Sequence, residues 1–150
     1  MQLWALGRMA SPAILAQTSG PSNPGGPHPY VSASSVQLNG NEATPRPLTH
    51  DEILEYIELY RKAAENAVFG AGFDGVEVHG AHGYLIDQFL QDVSNKRDDE
   101  WGGDIERRTR FALEVVKAIV DAVGEERTAI RLSPWNLYGG KELLDRYEME

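Results

Sequence analysis

The chain has 150 residues, enough for one ordinary domain with a sizeable core. Hydrophobic residues make up 41% of it and charged residues 25%, and both fractions are typical of globular proteins. The net charge of −9 argues against a nucleic-acid or membrane-surface partner, because those partners require basic patches. The sequence has no cysteine, which excludes disulfides and thiolate metal sites. Its first residues lack the basic region and the small-residue cleavage site expected of a signal peptide, and no apolar run in the sequence is long enough to span a bilayer. A soluble cytoplasmic protein is therefore expected.

In chain order, the first predicted element is a short strand at residues 2–6. Residues 7–47 follow, and they are rich in glycine, proline, serine and asparagine. A loop of this length is too long to be a simple connector between two elements. We therefore expect either an excursion with short strands of its own, one of them at about residues 30–36, or a lid over a site.

Two helices are predicted by their capping residues and apolar spacing. Thr49 and Glu52 have the spacing of a capping box, which predicts a helix from there to about residue 69. Asp104 is a suitable N-cap for a second helix at residues 105–123. The stretch between them from residue 91 to 103 is polar and is expected to be loop.

Strands are predicted at residues 75–79 and 128–132, each directly after one of these helices. Alternating strands and helices imply parallel strands with right-handed crossovers, so the fold class is α/β. A doubly wound sheet and a TIM barrel both fit this order. No Gly-x-Gly-x-x-Gly motif follows any of the strands, which argues against a dinucleotide-binding Rossmann domain.

Three ring-bearing polar residues, His79, His82 and Tyr84, come just after the predicted strand 75–79. The carboxyl ends of parallel strands are where α/β proteins place their chemistry. The two imidazoles could bind a metal, if a third ligand were supplied, or could simply be satisfied by backbone hydrogen bonds. They could instead donate hydrogen bonds to one substrate oxygen, with Tyr84 as a nearby proton source. The spacing leaves these alternatives open.

Two further polar residues lie on the predicted strands. Arg131 is flanked by Ile130 and Leu132, and an arginine in such a setting needs a carboxylate partner or an anionic ligand. Gln2 could offer its amide to a ligand or tie down a loop. The residues by themselves do not decide between these readings.

Several segments carry a resemblance to a known family. Residues 79–90 read His-Gly-Ala-His-Gly-Tyr-Leu-Ile-Asp-Gln-Phe-Leu, residues 94–103 read Ser-Asn-Lys-Arg-Asp-Asp-Glu-Trp-Gly-Gly, and residues 106–111 read Glu-Arg-Arg-Thr-Arg-Phe. Together with residues 2–8 and 130–134, in this order, they resemble the old yellow enzyme family. Members of that family are FMN-dependent NAD(P)H oxidoreductases, or ene-reductases, on a TIM barrel.

The resemblance implies a role for each candidate residue. Gln2 and Arg131 match family residues that contact the FMN ring. His79 and His82 match the pair that binds the substrate carbonyl or nitro oxygen, and Tyr84 matches the catalytic proton donor. The implied reaction uses NADH or NADPH to reduce FMN, which then reduces an α,β-unsaturated carbonyl compound. No metal is implied.

The resemblance also implies an incomplete domain, because eight βα units usually need about 250 residues. Residues 1–134 would form part of a TIM barrel, about its strands 3 to 5, with 7–47 as a long excursion and 135–150 as a divergent tail. Such an arc leaves sheet edges open, so we expect self-association and weak FMN binding. The alternative function is that of a catalytically inactive fragment acting only by association.

Overall fold

A computed structural model describes residues 1–17, 28–38 and 43–135 of the chain. The strands are β1 (Gln2–Leu3), β2 (Val31–Ser32), β3 (Arg46–Pro47), β4 (Val76–Gly80) and β5 (Thr128–Leu132). The α-helices are α1 (Pro12–Gln17), α2 (His50–Glu65), α3 (Leu85–Leu90) and α4 (Ile105–Val123). Short 3-10 helices form at Gly7–Met9 and Glu125–Arg127, and a π-helical turn at Asn66–Gly70.

The central sheet has the order β1-β4-β5, and all its strands are parallel. In register, Gln2 lies opposite Glu77 of β4, and His79 lies opposite Arg131 of β5. Their carboxyl ends therefore meet at one edge. This arrangement confirms the predicted α/β class with parallel strands and helical crossovers.

Helix α2 begins at the predicted capping box. The Thr49 hydroxyl accepts a hydrogen bond from the Glu52 amide, and the Glu52 carboxylate accepts one from the Thr49 amide at 2.9 Å. Ile53 and Ala64 are fully buried on the inner face of the helix. The α-helix ends at Glu65, earlier than predicted, because the remaining residues continue as the wider π-helical turn.

Helix α4 covers the predicted range and packs against both α2 and α3. The Asp104 carboxylate accepts a hydrogen bond from the Arg107 amide at 2.9 Å, which satisfies one free donor of the first turn. Phe111 is fully buried, and its ring lies 4.5 Å from that of Phe89 on α3. The helix ends at Gly124, whose φ of 96° lies in a region that favours glycine.

Strand β1 is shorter than the predicted strand at residues 2–6. Only Gln2 and Leu3 pair with β4. The chain then turns toward α3, where the Ala5 carbonyl accepts a hydrogen bond from the Leu85 amide at 3.0 Å. Because that carbonyl is committed to a helix N-terminus, the strand ladder does not continue past Leu3.

The long segment between β1 and α2 contains secondary structure of its own. Strands β2 and β3 form a separate parallel pair, and the strand predicted at about 30–36 is limited to Val31–Ser32. The side chain of buried Gln88 on α3 joins this segment to the sheet. Its Oε1 accepts from the Arg8 amide and the Ser32 hydroxyl, and its Nε2 donates to the carbonyls of Leu6 and Gly83.

The outer face of β5 is open: Ile130 is 38% exposed and Leu132 is 56% exposed. Of the predicted tail at 135–150, only Trp135 falls within the described residues. Among the helices of the described ranges, none is both long and apolar enough to cross a membrane.

Candidate functional site

Four rings gather at the carboxyl edge of the sheet, contributed by Trp4, His79, His82 and Tyr84. His79 lies at the centre: its ring centroid is 5.3 Å from that of His82 and 4.9 Å from that of Tyr84, both in edge-on geometry. The Trp4 ring stacks on His79 at 6.1 Å and meets Tyr84 edge-on at 4.7 Å. The structure thus brings the three predicted residues of this segment together and adds Trp4, which is 52% exposed.

The protonation state of His79 follows from its surroundings. Its Nδ1 accepts a hydrogen bond from the Ala81 amide at 3.3 Å, so in the neutral ring the proton lies on Nε2. The side chain is only 6% exposed, and burial, reinforced by the nearby charges of His82 and Arg131, lowers the pKa of His79 below its ordinary value. Near neutral pH, His79 is therefore an uncharged hydrogen-bond donor through Nε2.

His82 lies in a backbone conformation that non-glycine residues rarely adopt. Its φ is 57°, and that of Gly83 is 78°. Two hydrogen bonds hold this turn: the Ser133 hydroxyl accepts from the His82 amide at 2.8 Å, and the Asp87 carboxylate accepts from the Gly83 amide at 2.7 Å. The strained turn is thus fixed from both β5 and α3, which directs the position of the imidazole.

Asp87 is 2% exposed, and burial raises its pKa despite the hydrogen bonds that favour its ionised form. Those bonds come from the Gly83 amide and from Gln91 Nε2 at 3.1 Å. A buried carboxylate held in this way supports the backbone of the turn and lies outside the ring cluster. Its role is to position the residues on either side of Gly83.

Tyr84 is the N-cap residue of α3 and has extended backbone geometry. Its amide donates to the Ala81 carbonyl at 3.2 Å, which closes the turn that starts at the end of β4. The side chain is partly exposed between His79 and Trp4. A phenol in this position can exchange a proton with a molecule that lies against the ring cluster.

Gln2 and Arg131 are joined by a carboxylate. Glu77 Oε1 accepts from Gln2 Nε2 at 2.6 Å and from Arg131 Nε at 2.9 Å, and Glu77 Oε2 accepts from Arg131 Nη2 at 3.1 Å. The Arg131 guanidinium, together with the Gln2 amide, lowers the pKa of Glu77. Arg131 therefore has a carboxylate partner, one of the two alternatives that its place in a strand left open, while its side chain is still 50% exposed.

A metal site at His79 and His82 would need further ligands. In residues 1–17, 28–38 and 43–135, no group of three or more histidine, cysteine, aspartate or glutamate side chains is placed to hold an ion. Glu77, the nearest candidate in the sequence, is committed to Gln2 and Arg131. The structure therefore gives the metal alternative no support within that part of the chain.

The sequence interpretation did not single out Trp4, Ser133 or Asp87 as site residues, and it considered Glu77 only as a third ligand for a metal. Two of them carried a usable signal, because Trp4 is two residues after Gln2, and Glu77 is two residues before His79. Residues at i and i+2 of a strand lie on the same face. The contacts of Ser133 and Asp87 depend on how the turn at His82 folds, which no local pattern indicates.

Comparisons with known proteins show which family the chain resembles. The family model of the NADH:flavin oxidoreductase / NADH oxidase family matches residues 1–148. A chanoclavine-I aldehyde reductase of Penicillium roqueforti (strain FM164) is 49% identical over 145 residues, covering 97% of this chain and 37% of that protein. A protein of Claviceps purpurea named probable inactive dehydrogenase easA is 50% identical over 145 residues, covering 97% of this chain and 36% of that protein.

A solved structure is also similar. The crystal structure of old yellow enzyme from Pichia sp. AKU4542 superposes with a TM-score of 0.84 at 40% identity, covering 93% of this chain and 36% of that one. The chain thus spans little more than a third of the length of the relatives that it matches. The match to part of an old yellow enzyme confirms the predicted partial barrel.

Proposed function

Because the chain belongs to the NADH:flavin oxidoreductase / NADH oxidase family, we propose that it carries the substrate-binding face of an FMN-dependent reductase of activated alkenes. The observation that carries the proposal is the cluster that His79, with its Nε2 proton, forms with the His82 ring and the Tyr84 phenol beside the half-exposed Trp4. These groups bind an oxygen and supply a proton, as the reduction of an enone requires. NADH or NADPH is the proposed reductant.

The residues near the ring cluster fit a flavin. Gln2 and Arg131 are both exposed, and they lie on strands that flank β4, where they offer an amide and a guanidinium. The pyrimidine edge of an isoalloxazine ring presents carbonyl oxygens and an N–H group, which such side chains bind. FMN, when bound, supplies the hydride that it has received from NADH or NADPH.

The proposed role of His79 and His82 is to polarise the substrate carbonyl. A neutral imidazole donates a hydrogen bond without adding a net charge, and His79 is held neutral by burial with its Nε2 proton available. Hydrogen bonds to the carbonyl oxygen strengthen as negative charge develops there, so they stabilise the transition state more than the ground state. The β-carbon thereby becomes more electrophilic.

The proposed role of Tyr84 is general-acid catalysis. Proton transfer to the α-carbon of the reduced alkene completes the reaction, and a phenol is a suitable acid for a strongly basic carbon. Tyr84 is positioned by the turn that also holds His82, because its amide closes that turn on the Ala81 carbonyl. One rigid segment therefore sets the oxygen-binding groups and the proton donor relative to each other.

The substrate class is proposed to be small α,β-unsaturated carbonyl compounds. Support comes from the ring cluster and from a relative, since the Penicillium roqueforti protein is named an aldehyde reductase. A location in the cytoplasm remains a prediction from the sequence.

The test is direct. The purified 150-residue chain is supplied with FMN and assayed for flavin absorbance and for NADPH-dependent reduction of cyclohexenone. Tyr84→Phe should leave flavin reduction by NADPH unchanged and slow the oxidation of reduced flavin by cyclohexenone, because only the second half-reaction needs a proton donor. Tyr56→Phe, on helix α2, is the matched control and should change neither half-reaction. Equal effects of Tyr84→Phe on both half-reactions would contradict the assignment.

A second candidate function is that of a catalytically inactive chain that acts by association. Two observations favour it: the outer side of β5 exposes Ile130 and Leu132, and the similar Claviceps purpurea protein is named probable inactive. This candidate predicts a colourless preparation without reductase activity that elutes as an oligomer in size-exclusion chromatography. A monomeric, yellow and active preparation would contradict it.

A further inference from the structure

Glu77 connects two side chains that lie on different strands, and neither the sequence motifs nor the relatives assign it a role. We propose that Glu77 is a positioning residue that fixes which end of the Gln2 amide faces a bound ring, so that the site selects heterocycles with an N–H group at that edge. The inference rests on the proposed flavin-binding function and adds the reason for its selectivity.

The first step concerns the orientation of the Gln2 amide. An ionised carboxylate accepts hydrogen bonds and donates none. Glu77 Oε1 lies 2.6 Å from the nitrogen of the Gln2 side chain, so the NH₂ group must face the carboxylate. The amide oxygen of Gln2 then points away from Glu77, and it is an acceptor.

The second step concerns Arg131. Its guanidinium uses Nε and one N–H of Nη2 for the two oxygens of Glu77, which is a bidentate arrangement. The remaining N–H groups, on Nη1 and the other side of Nη2, have no hydrogen-bond partner in the part of the chain that the structure describes. Arg131 therefore presents donors, while Gln2 presents an acceptor.

The third step is the match to a ligand. One oxygen of Glu77 holds both the Gln2 amide and Arg131 Nε, so the acceptor and the donors flank a single carboxylate. An imide edge has the complementary pattern, with an N–H group beside a carbonyl oxygen. The isoalloxazine pyrimidine ring carries this edge at N3 and C2. If Glu77 were absent, the Gln2 amide could rotate and accommodate a ring that has no N–H at this position.

The ionisation of Glu77 agrees with this role. Arg131 above all, and Gln2 next, lower the pKa of the Glu77 carboxyl, so that it stays an obligate acceptor through the neutral pH range. Only a charged carboxylate enforces the amide orientation, since a protonated one could donate to the amide oxygen instead.

The experiment compares two probes, riboflavin and 3-methylriboflavin, which differ only in the N3–H group. Binding to the 150-residue chain is followed by quenching of flavin fluorescence. We expect the wild-type chain to bind riboflavin about tenfold more tightly than 3-methylriboflavin, because the methyl group removes one hydrogen-bond donor. Glu77→Leu removes the acceptor with little change in size and should reduce this ratio to about one.

A conservative variant separates positioning from charge. In Glu77→Gln, Arg131 can bind only the oxygen of the new amide, because a guanidinium donates hydrogen bonds and accepts none. That oxygen can still accept a hydrogen bond from the Gln2 amide. This variant should therefore keep most of the tenfold ratio. Glu55→Leu, an exposed carboxylate on α2 with no contact to the site, is the matched control and should keep all of it. A Glu77→Leu chain that still prefers riboflavin tenfold would overturn the inference.

A second measurement needs no flavin. The Glu77 carboxyl is titrated by carbon-13 NMR in the wild type and in Gln2→Leu, where loss of the amide donor should raise its midpoint. An unchanged midpoint would mean that the two side chains do not interact, and the inference would fail. If the chain binds neither flavin, the proposed function fails for this chain, and the titration by itself decides whether Glu77 holds the Gln2 amide.

Discussion

Gln88 is a buried side chain whose substitution should lower the free energy of unfolding strongly. Its side chain is 1% exposed and makes four hydrogen bonds, to the amide of Arg8, the hydroxyl of Ser32 and the carbonyls of Leu6 and Gly83. These partners come from the segment after β1, from β2 and from the turn before α3. We therefore predict that Gln88→Leu, which keeps the size of the side chain, destabilises the whole described structure.

The magnitude follows from the partners that would be left unpaired. Leaving one buried donor or acceptor unsatisfied costs about 1–3 kcal/mol. The Leu6 carbonyl is only partly buried and the Ser32 hydroxyl can rotate, so both lie at the low end of this range. Summed over the four groups, two at the low end of the range and two near its middle, we expect the free energy of unfolding to fall by about 6 kcal/mol. Domains of this size have about 5–15 kcal/mol in total, so Gln88→Leu would remove a large part of the stability.

The assay is urea denaturation followed by far-UV circular dichroism, with Gln91→Leu as the matched control. Gln91 is the C-cap residue directly after helix α3; it is partly exposed, and its side chain donates a hydrogen bond to Asp87. Water can replace that bond, so the control should lose about 1 kcal/mol or less.

A double-mutant cycle with Ser32→Ala tests whether the hydroxyl bond contributes as described. In the Gln88→Leu background the Ser32 hydroxyl has already lost this partner, so Ser32→Ala should cost less there than in the wild type. Two results would refute the reasoning: a loss in Gln88→Leu no larger than in Gln91→Leu, or strict additivity of Gln88→Leu and Ser32→Ala.

Three other predictions use the same denaturation assay. Thr49→Ala removes the side-chain half of the capping box of α2 and should lower the free energy of unfolding by about 1 kcal/mol, whereas Thr49→Ser should be nearly neutral. Asn95→Leu leaves the carbonyls of Phe89 and Trp101 and one amide without their buried partner and should cost about 3 kcal/mol; a loss below 1 kcal/mol would contradict this. Because burial lowers the pKa of His79 in the fold, the unfolded chain binds more protons below about pH 6.5, and stability should fall as the pH decreases from there toward the folded-state pKa. The His79→Gln variant should show a smaller fall, and an identical pH profile would contradict the assignment.

Local signals in the sequence were sufficient for much of the fold. The starts of α2 and α4 were predicted because one side chain, Thr49 or Asp104, satisfies the first free amides of its helix and is close in sequence to the group that it binds. Strands β4 and β5 were predicted because each follows a helix and carries apolar or β-branched residues at alternate positions. Their parallel pairing followed from the alternation of strands and helices.

What the sequence did not predict depends on contacts between distant residues. The strand at residues 2–6 ends early because the Ala5 carbonyl binds the Leu85 amide, eighty positions further along the chain. The structural role of Gln88 was not predicted, because its partners at Leu6, Arg8 and Ser32 are also far away in the sequence. No periodicity or capping rule contains information on such pairs, because each requires the tertiary fold to exist first.

In the candidate site, too, some residues are close in the sequence and others are brought together only by the fold. His79, His82 and Tyr84 lie within six residues, and the turn that carries them is held by its own hydrogen bonds together with those to Asp87 and Ser133. Their proximity could be read from the sequence.

The proximity of Gln2 and Arg131 could not be read in this way. It requires β1 and β5 to flank β4, with the carboxylate of Glu77 between them. In the proposed site, the strand order matters for chemistry as well as for structure. The middle strand supplies the His79 ring and, two residues earlier on the same face, the Glu77 carboxylate that binds the two flanking side chains. Because one strand carries both groups, a change in its register would displace the proposed oxygen-binding ring and the proposed flavin-binding pair together. The proposed chemistry thus depends on the pairing of β4 with β1 and β5 more than on any single side chain.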